Sequence, residues 1–212
     1  MIGIVDYGMG NIQSVKNAFE RLNAKVHIVT SPEDLAQCSG IILPGVGAFS
    51  KAMANLREMR LIAPLKAKVD DGTPVLGICL GMQLLAQVSE EHGQHEGLGI
   101  IPGKVRLIPV GNTLRLPHIG WNEVRPVRPG ALFKGLKENA TFYFVHSFML
   151  ECDPGNLTAL TDYGGNVTAA IQHGSVFAVQ FHPEKSQTNG SLLLRNFIDF
   201  VSTYEGQRDA HA

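Results

Sequence analysis

The sequence predicts an α/β fold: an open, mostly parallel sheet with helices on both faces and an antiparallel extension in the second half. Three observations carry this. Over the first ninety residues short apolar runs alternate with helical patterns, the signature of a doubly wound sheet. Those runs lack polar alternation, as strands covered on both faces do. From Lys104 onward, strand-like runs succeed one another with only turn residues between them, which suits antiparallel pairing.

Taken in order, residues 2–6 form a buried strand, and Ile12, Val15, Phe19 and Leu22 mark one face of a helix. The loop between them, Asp6-Tyr7-Gly8-Met9-Gly10-Asn11, lacks the dinucleotide fingerprint, which would need glycine at Gln13. Tyr7, Met9 and Asn11 are expected to face outward, on a plain surface loop or at an interface. Val26 to Val29 is a second strand. Ser31, Pro32, Glu33 and Asp34 start a helix with a cap, a proline at the first position and acids in the first turn. Gly40 to Leu43 is a third strand, ending in Pro44-Gly45-Val46-Gly47 at the carboxyl edge of the sheet, where open α/β folds bind ligands. That turn is either a tight connection or a source of N–H donors for an oxyanion. A helix begins at Ala48, and Leu61 to Val69 continues as helix.

The stretch from Pro74 to Leu85 organises the chain. Val75, Leu76 and Ile78 read as a buried strand, while Met82, Leu85 and Ala86 resume with helical spacing. Cys79 sits at the break, with Gly77 and Gly81 two residues to either side, the G-x-S-x-G pattern with sulfur in place of the hydroxyl. A cysteine held there is exposed above the sheet, near backbone N–H groups and the positive end of the next helix, which favours a nucleophilic thiolate over an inert core thiol.

Ser89 to Gly97 reads as a polar loop, its His and Glu residues unperiodic and glycine-broken and so no metal site. Strand-like runs follow at 104–108, 113–118, 141–150, 157–161, 167–172 and 176–181, with His173-Gly174 as a hairpin turn. A last helix is expected from about Ser191 to Tyr204, with Leu194, Phe197, Ile198 and Val201 on its buried face. Residues 1–204 are read as one domain and 205–212 as a flexible tail.

The second constellation is Phe181-His182-Pro183-Glu184-Lys185-Ser186. Pro183 biases His182 toward extended backbone, so His182 and Glu184 share a face and the carboxylate can orient the imidazole. With Cys79 they make a candidate Cys-His-Glu triad; alone they would be a strand-end surface pair. The bulk properties fit a small-molecule or protein partner. A net charge of −1 and no basic run argue against nucleic acid, and no stretch approaches a membrane span. The N-terminus carries no secretory pattern, and three cysteines without C-x-x-C spacing give neither a disulfide framework nor a zinc site, so a cytoplasmic protein is expected, with Cys38 and Cys152 inert.

Together, Gly77-Ile78-Cys79-Leu80-Gly81, Pro44-Gly45-Val46-Gly47 and His182-Pro183-Glu184 resemble the class I, triad-type glutamine amidotransferases. With Asp6 to Asn11, Met82-Gln83, Pro117-His118-Ile119-Gly120-Trp121-Asn122, Tyr143-Phe144-Val145-His146-Ser147 and Lys185-Ser186, the set resembles the glutaminase subunits of imidazole glycerol phosphate synthase within that family. The resemblance spans nearly the whole chain. It implies a flavodoxin-like sheet and hydrolysis of glutamine to glutamate and ammonia. Ammonia would pass to a (β/α)8-barrel cyclase subunit in a heterodimer, which makes imidazole glycerol phosphate and aminoimidazole carboxamide ribotide in histidine biosynthesis. No metal or organic cofactor is implied.

The same resemblance implies Cys79, His182 and Glu184 as catalytic residues, and N–H groups of Leu80 and of Val46 or Gly47 as the oxyanion hole. Gly47, Gln83 and the backbone around His146 and Ser147 would bind glutamine, and Tyr7, Met9, Asn11, Trp121, Tyr143 and Lys185 would meet the partner. Other families of this class commonly have glycine where this chain has Val46, and a β-branched residue resists positive φ. Low basal activity until the partner binds is therefore expected, with Val46→Gly raising it. A glutaminase serving another synthase, a stand-alone Cys-His-Glu peptidase or γ-glutamyl hydrolase, and a non-catalytic module remain the alternatives.

Overall fold

The structure, a computed structural model, describes residues 1–111 and 114–209, the last three by their backbone alone. Strands β1 (Ile2–Val5), β2 (Val26–Val29), β3 (Gly40–Gly45) and β4 (Val75–Cys79) alternate with helices α1 (Ile12–Arg21), α2 (Pro32–Ala36), α3 (Phe49–Glu58) and α4 (Ile62–Asp70). After Cys79 come α5 (Leu80–Leu84), β5 (Ala86–Ser89), β6 (His95–Glu96), β7 (Ile101–Leu107), β8 (His118–Pro126), β9 (Ala140–His146), β10 (Phe148–Cys152), β11 (Leu157–Asp162), β12 (Asn166–His173), β13 (Val176–Val179) and α6 (Gln187–Asp209). Among the described residues no helix is long and apolar enough to cross a membrane.

The main sheet runs β2-β1-β3-β4-β13-β12-β11-β8-β9. Its first five strands are parallel, in the order of doubly wound folds, and the rest pair antiparallel. Gly45 lies beside Cys79 in the register, and Val179 beside Ile78, so the chain leaves β3, β4 and β13 at one edge. A second sheet, β10-β7-β5-β6, flanks it. One core cluster packs α3, Leu61, Leu65 and α5 on one face; the other packs α1 and α6 on the opposite face. Val75, Leu76 and Ile78 are all fully buried, because a strand with helices on both sides has no wet face.

Helix starts follow their chemistry. Ser31 Oγ accepts from Asp34 N–H at 3.2 Å while the Asp34 carboxylate accepts from Ser31 N–H at 3.1 Å, a capping box that begins α2. Asn11 Oδ1 accepts from Ser14 N–H and caps α1.

Several elements differ from the sequence expectation. The helix after Cys79 ends at Leu84, and Ala86 is already in strand β5; residues 84–86 are apolar and fully buried on all sides, where spacing alone does not separate helix from strand. The helix from Ala48 does not run on through Leu61: Arg60 has φ 57° and separates α3 from α4. The strand expected at 113–118 begins only at His118 and extends to Pro126; Thr113 lies outside the described residues. The run 141–150 splits at Ser147 into β9 and β10, which belong to different sheets. In the loop at 89–97, His95 and Glu96 pair with Ser89 and Val88. The last helix starts at Gln187, not Ser191, and continues past Tyr204 to Asp209; Glu205 bonds the N-terminal ammonium at 2.8 Å and Ser39.

Candidate active site

Val46 and Gly47 after β3 and Cys79 at the end of β4, both at the carboxyl edge of the parallel strands, line one cavity of about 530 Å³ together with Leu80, Gln83, Glu91, His146, Ser147 and their neighbours. Cys79 stands where β4 turns into α5, with φ 55° and ψ −111°, a backbone conformation costly for a side chain larger than glycine's. The turn is possible because its neighbour is small: a Cβ on Gly81 would collide with the carbonyl of Leu43 in β3. The strain holds the sulfur at the mouth of the sheet. Leu80 opens the short helix, so its N–H has no acceptor within that helix.

His182 arrives from β13, and its segment is pinned across the end of β9. His182 N–H donates to Tyr143 O at 2.8 Å, Tyr143 N–H to Ser186 Oγ at 3.0 Å, and Ser186 Oγ to His182 O at 2.6 Å. His182 Nδ1 bonds Glu184 Oε1 at 2.7 Å, and the Glu184 side chain is only 2% exposed. Nε2, the other ring nitrogen, makes no hydrogen bond of full geometry among the described residues and has the Cys79 sulfur as its neighbour. Burial opposes charge on this imidazole, yet the neighbouring Cys79 and Glu184 overcome it and push its pKa up to about 10. The thiol is close enough to act on the ring, while its own weak contact is to Val145 O at 4.0 Å. A thiol, an imidazole beside it and a carboxylate on the ring's Nδ1 form an arrangement able to carry out nucleophilic acyl transfer.

The remaining residues expected from the sequence divide into two groups. Gly47, with φ 98°, and Val46, which keeps an ordinary negative φ, line the cavity with Gln83, His146 and Ser147. On the adjoining edge Trp121 and Tyr143 are register partners in edge-to-face contact at 6.1 Å, and Lys185 Nζ lies 5.6 Å from the Tyr143 ring. Trp121 is 49% exposed, so it is no core tryptophan. Met9 is half-buried and Asn11 exposed. Tyr7 is a correction: instead of facing outward it is 1% exposed, donating its hydroxyl to Pro44 O at 2.7 Å. It braces the turn that leads into Gly45-Val46-Gly47. Cys38 and Cys152 are unpaired, with burial raising both thiols to about 11.

Two groups at this site escape the sequence pattern. Glu91, placed by that pattern in a solvated loop, lines the cavity and caps α3 through Phe49 N–H at 2.5 Å. Gln180, fully buried, directs its amide at the Cys79 sulfur, 3.8 Å away. The signal for Gln180 is a lone amide inside the apolar run Val176 to Phe181.

The chain is similar to known proteins along almost all of its length. A family model, glutamine amidotransferase class-I, matches residues 3–200. The imidazole glycerol phosphate synthase subunit HisH of Moorella thermoacetica is 47% identical over 201 residues, 94% of this chain and 95% of that protein. HisH of Bacillus cereus is 46% identical over 209 residues, covering 98% of this chain and 99% of that one. Among solved structures, a putative GMP synthase protein from Thermoplasma acidophilum superposes with a TM-score of 0.76 at 22% identity, covering 98% and 96% of the two chains. The glutaminase domain of Trypanosoma brucei CTPS with bound acivicin gives 0.65 at 19% identity, covering 93% of each.

Proposed function

This chain belongs to the class I glutamine amidotransferases, and among them to the HisH glutaminase subunits of imidazole glycerol phosphate synthase in histidine biosynthesis; from that premise we propose how its residues divide the work. Cys79, as thiolate, adds to the carboxamide carbon of glutamine. Leu80 N–H and a donor from Val46 or Gly47 hold the resulting oxyanion, each such donor being worth about 2.7–4 kcal/mol in the transition state. His182 gives its Nε2 proton to the departing ammonia, leaving a thioester on Cys79. The neutral imidazole then takes a proton from water, whose oxygen attacks the thioester and releases glutamate. Glu184 holds the ring and its charge through both steps. The carrying observation is the pairing of His182 Nδ1 with a buried carboxylate while the ring also interacts with the Cys79 sulfur.

Glutamine itself would lie along Gln83, Gly47 and the backbone at His146 and Ser147, with Glu91 supplying an anion for the α-ammonium. Ammonia would pass to a (β/α)8-barrel cyclase subunit docked on the edge that carries Trp121, Tyr143, Lys185, Met9 and Asn11. Supporting this are two neighbouring exposed apolar side chains, Ile119 at 59% and Trp121 at 49%, beside an aromatic ring and a cation, the composition of an interface core. Three unpaired cysteines suit a cytoplasmic setting.

The test is ammonia release from glutamine by the full chain, alone and with the barrel partner and its nucleotide ligand. Release should rise on adding the partner and vanish in Cys79→Ala. Parent and Cys79→Ala giving the same background under both conditions would remove the reading.

A further inference from the structure

The Cys79 sulfur has a neighbour that the acyl-transfer scheme above does not use. Gln180 directly follows the last residue of the parallel strand β13, one residue before Phe181, and is entirely enclosed. Its backbone N–H donates to Ala169 O, so the residue is fixed at both ends.

The orientation of its carboxamide follows from one carbonyl. Phe148 O can only accept. Gln83 Nε2 lies 3.0 Å from it and therefore faces it with an N–H. The same nitrogen gives its second hydrogen to Gln180 Oε1, also at 3.0 Å. With its oxygen committed to Gln83, Gln180 must present Nε2 on the other side, where the nearest acceptor is Cys79 Sγ at 3.8 Å. A second arm ends on the same carbonyl and sets its own directions: His146 Nδ1 donates to Phe148 O at 2.8 Å, so its Nε2 accepts from His118 Nδ1 at 3.0 Å, and His118 Nε2 accepts from Asn122 Nδ2 at 3.2 Å. The directions along the two arms are mutually consistent. Turning the Gln180 amide around would set its N–H against the N–H of Gln83 and leave a buried donor unpaired.

We propose that Gln180 is a further functional residue of the site: its amide, locked by Gln83 and the Phe148 carbonyl, donates an N–H to the Cys79 sulfur and supports the sulfur in its nucleophilic form. A sulfur anion in a buried cavity needs more than one donor, and the imidazole alone must also deliver protons to the leaving group. Gln180 cannot lose its hydrogen to the sulfur, so it holds charge without competing in proton transfer. Its link to Gln83 ties the grip on glutamine to the placement of the nucleophile.

This inference rests on the glutaminase reading for its purpose, and its test is separate. Carbamidomethylation of Cys79 by iodoacetamide requires neither glutamine nor partner. Gln180→Met, which keeps the volume and removes the donor, should slow modification of Cys79 at pH 7.5 about tenfold, as expected for a hydrogen bond to a charged group. Gln180→Glu, nearly isosteric, should slow it further by setting an acceptor against the sulfur. Glutamine turnover should fall in parallel in the complex with the barrel partner. A packing role would lower the melting temperature and leave the modification rate unchanged. Parental modification rates in either folded variant overturn the proposal. A parent that releases no ammonia, with the modification rate still dependent on Gln180, would refute the glutaminase reading and leave this one standing.

Discussion

Two walls of buried imidazoles meet at this site, His182 against Cys79 and Glu184, and His146, which lines the cavity with His118 packed behind it, yet they hold protons in opposite ways. Burial pushes His118 and His146 down to about 4. Burial acts on His182 in the same direction and is overcome by Cys79 and Glu184, so that ring stays charged up to about 10. The difference is what faces each ring. His182 has the Cys79 sulfur on one side and a carboxylate at 2.7 Å on the other, whereas His146 faces a carbonyl and the neutral His118 ring, and His118 an amide and the His146 ring. A buried imidazole becomes an acid–base group when an anion holds it, and a neutral strut when only dipoles do.

Removing the carboxylate should narrow the contrast, leaving Cys79 alone to hold the charge. In Glu184→Gln the amide keeps the shape and loses the charge, so His182 should titrate far below its parental value, toward the behaviour of His118 and His146. Glutamine turnover in the complex should drop by about 10²–10⁴-fold, the range for losing an oriented general acid–base. Near-parental turnover would show that the carboxylate is dispensable and that the walls differ for another reason.

The two walls should also oppose each other in stability against pH. His146 is neutral when folded down to about 4 and titrates near 6.5 when unfolded, so the unfolded chain binds more protons in between. Its contribution is complete above about pH 6.5 and is lost as pH falls through 4, an effect of about 3 kcal/mol for this ring alone. His182 runs the other way: its folded value is raised, so its contribution is complete below about 6.5 and fades as pH rises through 10. Urea midpoints should fall on both sides, with proton NMR placing His146 on the acid limb and His182 on the alkaline one. Both rings titrating near 6.5 would dissolve the distinction.

How legible each wall is follows from the same physics. The parallel half is plain in the sequence because strands buried on both faces are continuous apolar runs: Val75, Leu76 and Ile78 read as the strand found at Val75–Cys79, and Cys79 between Gly77 and Gly81 marks a turn that few other residues could make. His182 and Glu184 are readable because Pro183 fixes the local backbone and a two-residue spacing fixes the face. The wall of His118 and His146 is obscured. Strand β8 alternates buried and exposed positions and contains Gly120, Asn122 and Glu123, so only its first residue is expected as strand. The apolar stretch around Ser147 conceals a passage from one sheet to another, because either sheet would accept those residues. Tyr7, expected as a contact residue, is internal because its hydroxyl finds the Pro44 carbonyl, a long-range pairing that no local pattern encodes. The His118–His146–Phe148 arm is equally long-range, and no spacing announces it.

The smallest effect tests the rule in the reverse direction, by giving the neutral wall an anion. Asn122 Nδ2 donates both to His118 Nε2 at 3.2 Å and to Asp162 O at 2.8 Å. Asn122→Asp would place a carboxylate against His118, which can then carry protons on both nitrogens, keeping its Nδ1 donation to His146. The gain is partly offset because Asp162 O loses its donor and faces an oxygen, which costs about 1–3 kcal/mol. A rise of about one pH unit in the His118 titration is therefore expected, at the low end of what an adjacent carboxylate does, with His146 still neutral at pH 6. If His118 stays near 4 in a folded Asn122→Asp chain, burial and not the missing anion keeps that wall uncharged, and the explanation of why only His182 works as the base must rest on Cys79 rather than on Glu184.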